Sequence, residues 1–270
     1  MNKIVGFIGF GNMARAMAGG IIDGGVADKK NIIASASTDK TLKNAQDTYG
    51  INVTMDNKEV AKKSDILFLA VKPNAYHIVI NEIKDCVSDD TLIVTIAAGQ
   101  TLENVEKMFG KKIRLIRTMP NTPAMVMEGM SLICPGENAD FEDLEDVLRI
   151  FGSFGKSEVV EEALIDTAGS LSGCGPAFVY VFIEALADAA VESGVKREMA
   201  YKLASQMVLG AAKMVLKTKE HPGKLKDNVC SPGGTTIKGI NALEYSGFRG
   251  NVIDALLSSI EKSKEMSGNK

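Results

Sequence analysis

The sequence predicts an α/β fold, an N-terminal doubly wound parallel sheet followed by an all-α C-terminal domain, and three observations predict it. Over roughly the first 158 residues, short runs rich in Ile, Val and Leu alternate with helical segments. The first of these runs ends in a glycine turn that opens a helix. From about Glu161 the β signal disappears and long apolar helical runs replace it. Strand–helix–strand alternation implies parallel strands joined by crossover helices. The expected boundaries are 1–158 for the sheet domain and 159–270 for the helical one.

Lys3–Ile8, Asn31–Ser35, Asp65–Val71, Thr91–Ile96 and Ile113–Thr118 read as strands. They are continuous rather than alternating in apolar character, as strands covered on both faces are. Met13–Asp23, Asp39–Tyr49 and Thr101–Phe109 read as helices between them. In the second half Pro176 suits a first helical position, and Gly194 suits the cap at the end of that run. The run AFVYVFIEALADAAV is apolar around nearly its whole circumference. A helix of that kind must be covered on all sides, so a second subunit is expected to cover part of it. A second helix, Arg197 to about Lys217, places Met199, Leu203, Met207, Ala211 and Met214 at helical spacing, as core filler. His221-Pro222-Gly223 breaks the chain, and a short turn follows. A helix to about Tyr245 and a last one from about Asn251 complete the reading, with the tail EKSKEMSGNK expected to be a solvated, fraying end.

Composition excludes several classes. The chain of 270 residues is 45% hydrophobic and 24% charged with a net charge of −3, an ordinary globular mixture. Its slight acidity argues against a nucleic-acid partner, which needs clustered Lys and Arg. No stretch is expected to reach the roughly 18 uncharged apolar residues of a membrane span, because Glu184 and Asp188 interrupt the most apolar helix. Glycines interrupt the apolar N-terminus and no cleavage site follows, so a cytoplasmic address is expected. Cys86, Cys134, Cys174 and Cys230 are scattered, which suggests neither disulfides nor a metal site.

Two segments carry chemistry. Gly9-Phe10-Gly11-Asn12-Met13-Ala14 follows the first strand as G-x-G-x-x-A. The first glycine permits the turn, the second lets a pyrophosphate approach the backbone, and the helix entrance offers N–H groups to the phosphates. The second strand ends Ala34-Ser35-Ala36-Ser37-Thr38, with no carboxylate before Asp39. Short hydroxyls tolerate a 2′-phosphate where a carboxylate would repel it, so NADPH is preferred over NADH. Val71-Lys72-Pro73 and Ala97-Ala98-Gly99 close two further strands and are expected to line the cofactor, since ligands sit beyond the carboxyl ends of such strands. The stiff segment from Arg117 to Ala124 is expected to wall the site. His77 and His221 read as capping or surface residues. The second segment, Asp227-Asn228-Val229-Cys230-Ser231-Pro232-Gly233-Gly234-Thr235-Thr236, frees the backbone with two glycines and then starts a helix. That is how an anion site is built, although a plain capped turn has the same letters. No Lys, Arg or His lies between Lys156 and Lys196. Alcohol oxidation wants a base such as His or Lys beside the carbinol, and this helical stretch, which would carry a lysine in the hydroxyisobutyrate-type dehydrogenases, has none.

The segments GFIGFGNMA, FLAVKP, AAGQT, MPNTPA, LSGCGPAF, EALADAAVESG and HPGKLKDNVCSPGGTTIKGINALE together resemble the pyrroline-5-carboxylate reductases along nearly the entire chain. The resemblance implies reduction of the cyclic imine 1-pyrroline-5-carboxylate to L-proline with NADPH or NADH. It implies a Rossmann-type domain and an interlaced homodimer of helical domains, often assembled into a pentamer of dimers, in which the partner's helical domain completes the site. Residue by residue, Ile8, Gly9, Phe10, Gly11, Asn12 and Met13 cradle the pyrophosphate and the serines around Ser35 meet the 2′-phosphate. Asn57 contacts the adenosine end, and Ala70, Val71, Lys72, Pro73, Ala97, Ala98 and Gly99 line the rest. Asn228 touches the nicotinamide half. Gly234, Thr235 and Thr236 hold the substrate carboxylate, and Glu162 matches a position near the substrate. Lys219 stands where some relatives carry a glutamate, and Cys174 and Cys230 where relatives can carry serine. Thr236, at the helix start, is the expected partner of the imine nitrogen. A hydroxy-acid dehydrogenase, a reductase of another cyclic imine and a non-catalytic NADP-binding sensor are the alternatives. The missing helix lysine opposes the first, a substrate assay separates the second, and the GGTT turn opposes the third.

Overall fold

Runs of consecutive buried side chains, apolar throughout most of their length, put five strands in the middle of one sheet. The protein is described by a computed structural model covering residues 1–268. In chain order the sheet region contains β1 (Val5–Ile8), α1 (Asn12–Asp23), β2 (Ile32–Ser35), α2 (Asp39–Tyr49), β3 (Asn52–Thr54), α3 (Asn57–Lys63), β4 (Ile66–Leu69), α4 (Tyr76–Ile83), β5 (Leu92–Thr95), α5 (Leu102–Phe109), β6 (Arg114–Met119), β7 (Gly129–Pro135), α6 (Phe141–Gly152) and β8 (Gly155–Val159). The helices α7 (Glu162–Glu192), α8 (Arg197–Thr218), α9 (Pro222–Asn228), α10 (Thr235–Tyr245) and α11 (Phe248–Ser267) follow. The sheet has eight strands in the order β3-β2-β1-β4-β5-β6-β7-β8. All neighbours are parallel except β6 and β7. The chain moves outward from β1 to β3 and then returns to β4, so the strand order reverses between β1 and β4. The crevice beyond the carboxyl ends of those two strands is where such sheets bind ligands.

Every residue of β1, β2, β4 and β5 is buried. Two core layers result. One packs Phe7, Phe68, Phe151 and Phe154 with Met17 and Ile21 of α1. The other packs Ile8, Leu67, Leu69 and Ile93 against Ile80, Ile83 and Val105. The Phe7 and Phe68 rings stack with centroids 5.0 Å apart. The five expected strands are present. Beyond expectation are β3, β7 and β8, whose sequences NVT, GMSLICP and GKSEV mix polar residues, glycine and proline. Pairing with a neighbour makes these segments strands, and local propensity alone does not reveal it.

The chain divides into two compact units. The first is Met1–Gly173 together with the chain from Ser259 onward, and the second is Cys174–Ser258. The anticipated border at 158/159 falls at the end of β8, whereas the division between units runs within α7 and again within α11.

Pro176 does not start a helix; it lies inside the 31-residue α7. A proline in a helix has no N–H for the carbonyl four residues earlier, here Ser172. That carbonyl instead accepts a hydrogen bond from Asn121 Nδ2 at 2.9 Å, while Asn121 Oδ1 accepts the Met130 N–H at 2.9 Å. One buried amide thus replaces the bond the proline removed and ties the loop after β6 to α7. Asn121→Leu is expected to lower stability by about 1–3 kcal/mol, read by urea unfolding. Adding Pro176→Ala should return part of that loss, because the alanine N–H can again reach Ser172.

Two further expectations, for the tail and for the segment after His221, are corrected, whereas α7 bears on the membrane question by length and composition alone. As one continuous helix, α7 is long and apolar enough to cross a membrane by length and composition, despite Glu184 and Asp188. The tail is helical through Ser267, whose buried hydroxyl donates to Asp166 at 2.9 Å, so it does not fray there. Residues 269–270 lie outside the described residues. The segment after His221, read as a turn, is the short helix α9 with Pro222 in its first turn and the His221 ring as its N-cap, accepting the Gly223 N–H. Within the second unit the buried apolar residues are three alanines, Ala187, Ala200 and Ala204, while Val181 is 65% exposed and Leu216 78%. A bundle that buries only alanine has no core of its own.

Candidate functional site

The glycine turn after β1 is shaped as its sequence requires. Gly9 has φ +90°, and a Cβ there would sit 2.7 Å from the Ala70 carbonyl oxygen, so only glycine fits. Gly11 is the N-cap of α1, in extended backbone and without a side-chain cap, so the first N–H groups of the helix remain for a ligand. By contrast α2, α3, α5 and α6 are capped by Thr38, Asp56, Thr101 and Asp140. Gly9, Phe10, Gly11, Asn12, Asn57 and Val71, all expected in the cofactor site, line one cavity of about 490 Å³. Arg15, Ala36, Ser37, Thr41, Met55, Ala75 and Val79 complete its wall. An uncapped helix entrance, a glycine whose Cβ position is open, and a neutral β2–α2 turn all fit a dinucleotide.

The remaining cofactor-side residues stand behind or beside that cavity. Ser35 is fully buried, and its hydroxyl donates to Asn57 Oδ1 at 2.7 Å. Asn57 Nδ2 donates in turn to Glu82 at 2.8 Å, so Ser35 orients Asn57 while Ser37 faces the cavity. Ile8 is buried beneath the turn, and Met13 lies in the first turn of α1. Ala70 N–H bonds the Ile8 carbonyl at 2.8 Å, joining the ends of β4 and β1. Lys72 and Pro73 are exposed. The Tyr76 hydroxyl donates to the Leu69 carbonyl at 2.7 Å, and burial pushes its phenol pKa up despite the nearby backbone of Ile96 and Ala97. Tyr76 is therefore a strut under both the Ala70–Pro73 turn and the Ala97–Gly99 turn. Gly99, at φ +75°, lies against the Met266 carbonyl, where a Cβ would come within 3.0 Å.

Glu162 is the partly exposed member of a charge cluster built on the buried Arg117. Arg117, on β6 and 2% exposed, donates to Glu162 at 3.0 Å and to Asp166 at 2.9 Å. Glu162 also accepts the Leu102 N–H at 2.8 Å, at the entrance of α5. Its carboxylate borders a second cavity of about 430 Å³ with Thr101, Asn104 and Ser267. Arg117, read from sequence as part of a wall, is thus an internal tie. His77 is exposed and bonds Asn81, as a surface residue.

The helical unit holds the other group. Gly234 is the N-cap of α10, in extended backbone with no side-chain cap, and Gly233 before it has φ +69°. Thr235 and Thr236 are exposed in the first turn with unbonded N–H groups at their backs. Asn228 ends α9, also exposed. This entrance can bind a carboxylate through backbone N–H groups and two hydroxyls.

Comparison with known proteins gives two matched families and a set of close relatives. Residues 162–266 match the family described as "Pyrroline-5-carboxylate reductase dimerisation", and residues 4–99 match "NADP oxidoreductase coenzyme F420-dependent". A pyrroline-5-carboxylate reductase of Escherichia coli is 47% identical over 99% of both chains. The chain belongs to the pyrroline-5-carboxylate reductase family. The solved pyrroline carboxylate reductase of Plasmodium falciparum, determined with NADP bound, is 36% identical with a TM-score of 0.90 over 98% of each chain. That of Coxiella burnetii gives 36% and 0.92 over 99% of each. As in this reductase family, the chain has an N-terminal Rossmann-like sheet and a helical dimerisation region, and it is an NADP-type oxidoreductase by fold. Among the residues lining the cavity at the α1 entrance, Arg15, Met55 and Val79 carried no signal in sequence. Each sits in a helix or loop where a charged or apolar residue is ordinary.

Proposed function

We propose that this protein reduces 1-pyrroline-5-carboxylate to L-proline with NADPH, accepting NADH as well, as the last step of proline biosynthesis in the cytoplasm. The observation that carries the reading is a pair of helices, α1 and α10, that each start from an uncapped glycine. One entrance suits a pyrophosphate and the other a small carboxylate. Gly9, Gly11, Asn12 and Asn57 hold the dinucleotide, Ser37 faces its ribose, and the Ala70–Pro73 and Ala97–Gly99 turns line its course. Bound NADPH supplies the hydride that reduces the imine carbon. Gly234, Thr235 and Thr236 fix the substrate carboxylate, Asn228 steadies the nicotinamide half, and Glu162 shapes the substrate side from its anchored position. Thr236 is the group nearest the imine nitrogen, which carries the proton that makes its carbon electrophilic.

No histidine is needed. Positioning two reactants contributes about 7–11 kcal/mol, whereas a general acid adds about 10²–10⁴-fold. The exposed apolar helices support a homodimer through the helical region, with a decamer as the larger assembly, and light scattering on the full chain distinguishes these from a monomer.

Steady-state kinetics on the cyclic imine test the reading. Turnover with kcat/KM higher for NADPH than for NADH is expected, and preference for an acyclic keto acid would overturn it. Thr236→Ala should lower kcat/KM about tenfold, the worth of one hydrogen bond to a charged group. Unchanged kcat/KM would assign carboxylate binding to the backbone alone.

A further inference from the structure

The cofactor cavity contains one charged side chain. Arg15 lines it, and no Asp or Glu does. Its Nε is buried without a hydrogen-bond partner, and among the described residues no carboxylate forms an ion pair with the guanidinium. A guanidinium edge withdrawn from water and left unpaired is costly unless an anion arrives to meet it.

The helix geometry says which anion. Residues four apart share a helix face, so Arg15 and Gly19 point the same way from α1. At Gly19 a Cβ would meet the Tyr49 ring of α2 at 3.4 Å, so this face of α1 looks toward α2. Arg15 lies one turn into α1 and Thr41 in the first turn of α2, and both line the cavity with Ala36 and Ser37. The guanidinium therefore faces the segment just after β2. In doubly wound sheets that segment meets the adenosine ribose, where an acidic residue selects the 2′-hydroxyl and a nearby arginine accommodates a 2′-phosphate. The pyrophosphate is served elsewhere, by the uncapped N–H groups at the α1 entrance.

We propose that Arg15 is the residue that selects the phosphorylated cofactor, pairing its guanidinium with the ribose 2′-phosphate beside Ser37 and Thr41. The proposal rests on the NADPH reading above. A planar fork with several donors suits a dianionic phosphate, and each charge-assisted bond is shorter and stronger than a neutral one. Selection then comes from a cation reaching across from α1, with no basic residue needed in the β2–α2 turn.

Kinetics and binding on Arg15→Met and Arg15→Lys test it. With Arg15→Met, kcat/KM for NADPH should fall about tenfold or more while kcat at saturation holds. With NADH it should move by less than about twofold. Affinity for adenosine 2′,5′-bisphosphate by calorimetry should fall in parallel, affinity for ADP should hold, and Arg15→Lys should recover part of the loss. Thermal melting of the ligand-free protein should not fall, since no side-chain bond is broken and an unpaired buried donor is removed. Equal losses with both cofactors would move Arg15 to the pyrophosphate and overturn the proposal, and so would an undiminished preference for NADPH. A wild-type chain with no preference for NADPH would instead overturn the cofactor reading itself, and this proposal with it.

Discussion

Arg117→Met should cost about 3–5 kcal/mol of folding stability. The guanidinium is 2% exposed and Asp166 is almost as deeply buried. Methionine matches the stem but leaves two carboxylates without their cation. Among their other contacts, Asp166 would keep the Ser267 hydroxyl at 2.9 Å and Glu162 the Leu102 N–H at 2.8 Å. The midpoint of urea unfolding should fall at constant slope, and the deficit should persist at high salt because screening does not reach a buried pair. Combining Arg117→Met with Asp166→Leu should be milder than Arg117→Met alone, since a buried carboxylate that has lost the guanidinium is what destabilises. A loss below about 1 kcal/mol for the single change would mean that the cluster is solvated in solution, as exposed pairs are. Because Glu162 anchors the entrance of α5 and Ser267 ends α11, amide exchange should also speed up at both places.

How much of this could be read from the letters follows from where each residue's partners lie. The five central strands were legible because burial on both faces leaves a continuous apolar run, a purely local mark. β3, β7 and β8 were not, because a neighbouring strand makes them strands. Pro176 obeyed a sound local rule for a helix start and broke it, because Asn121, 51 residues before Ser172, supplies the missing bond. The same distance effect hid the tail: EKSKEMS is polar enough to read as solvated, yet the hydroxyl of Ser267 finds a carboxylate 101 positions away.

In the candidate site, the glycines were readable because a turn is a backbone feature, and the threonines because they open the helix that follows. G-x-G-x-x-A and GGTT each name a turn that a helix entrance needs, and the structure has both turns. Ser35 was readable as a hydroxyl at the end of β2, but not as a buried one that orients Asn57. Arg15 was unreadable in principle, since an arginine one turn into a helix looks the same whether it faces water or a phosphate.

The cradle itself separates stability from binding in a way that two neighbouring glycines can test. Gly11→Val should weaken NADPH at least about 100-fold, the worth of losing two charge-assisted bonds from helix N–H groups to the pyrophosphate. It should do so while leaving folding stability within about 1 kcal/mol, the scale of a changed N-cap. Gly11 has φ −79° and ψ −169°, extended backbone that valine adopts readily, and a Cβ there meets nothing within 4 Å. The space is empty in the protein alone and would be filled only by the ligand, so the side chain competes with the phosphates and with nothing else. Gly9→Ala is the opposite case. At φ +90° with the Ala70 carbonyl oxygen 2.7 Å from the new Cβ, it forces strain of about 1–3 kcal/mol into the β1 turn before any ligand arrives. It should therefore lower the melting temperature and NADPH affinity together. Calorimetric titration beside thermal melts for the two variants resolves the pattern. If Gly11→Val bound NADPH like the wild type, the dinucleotide would have to lie somewhere other than the α1 entrance. The open space at Gly11 would then be an ordinary exposed turn, and the neutral β2–α2 segment would lose its meaning as a ribose site.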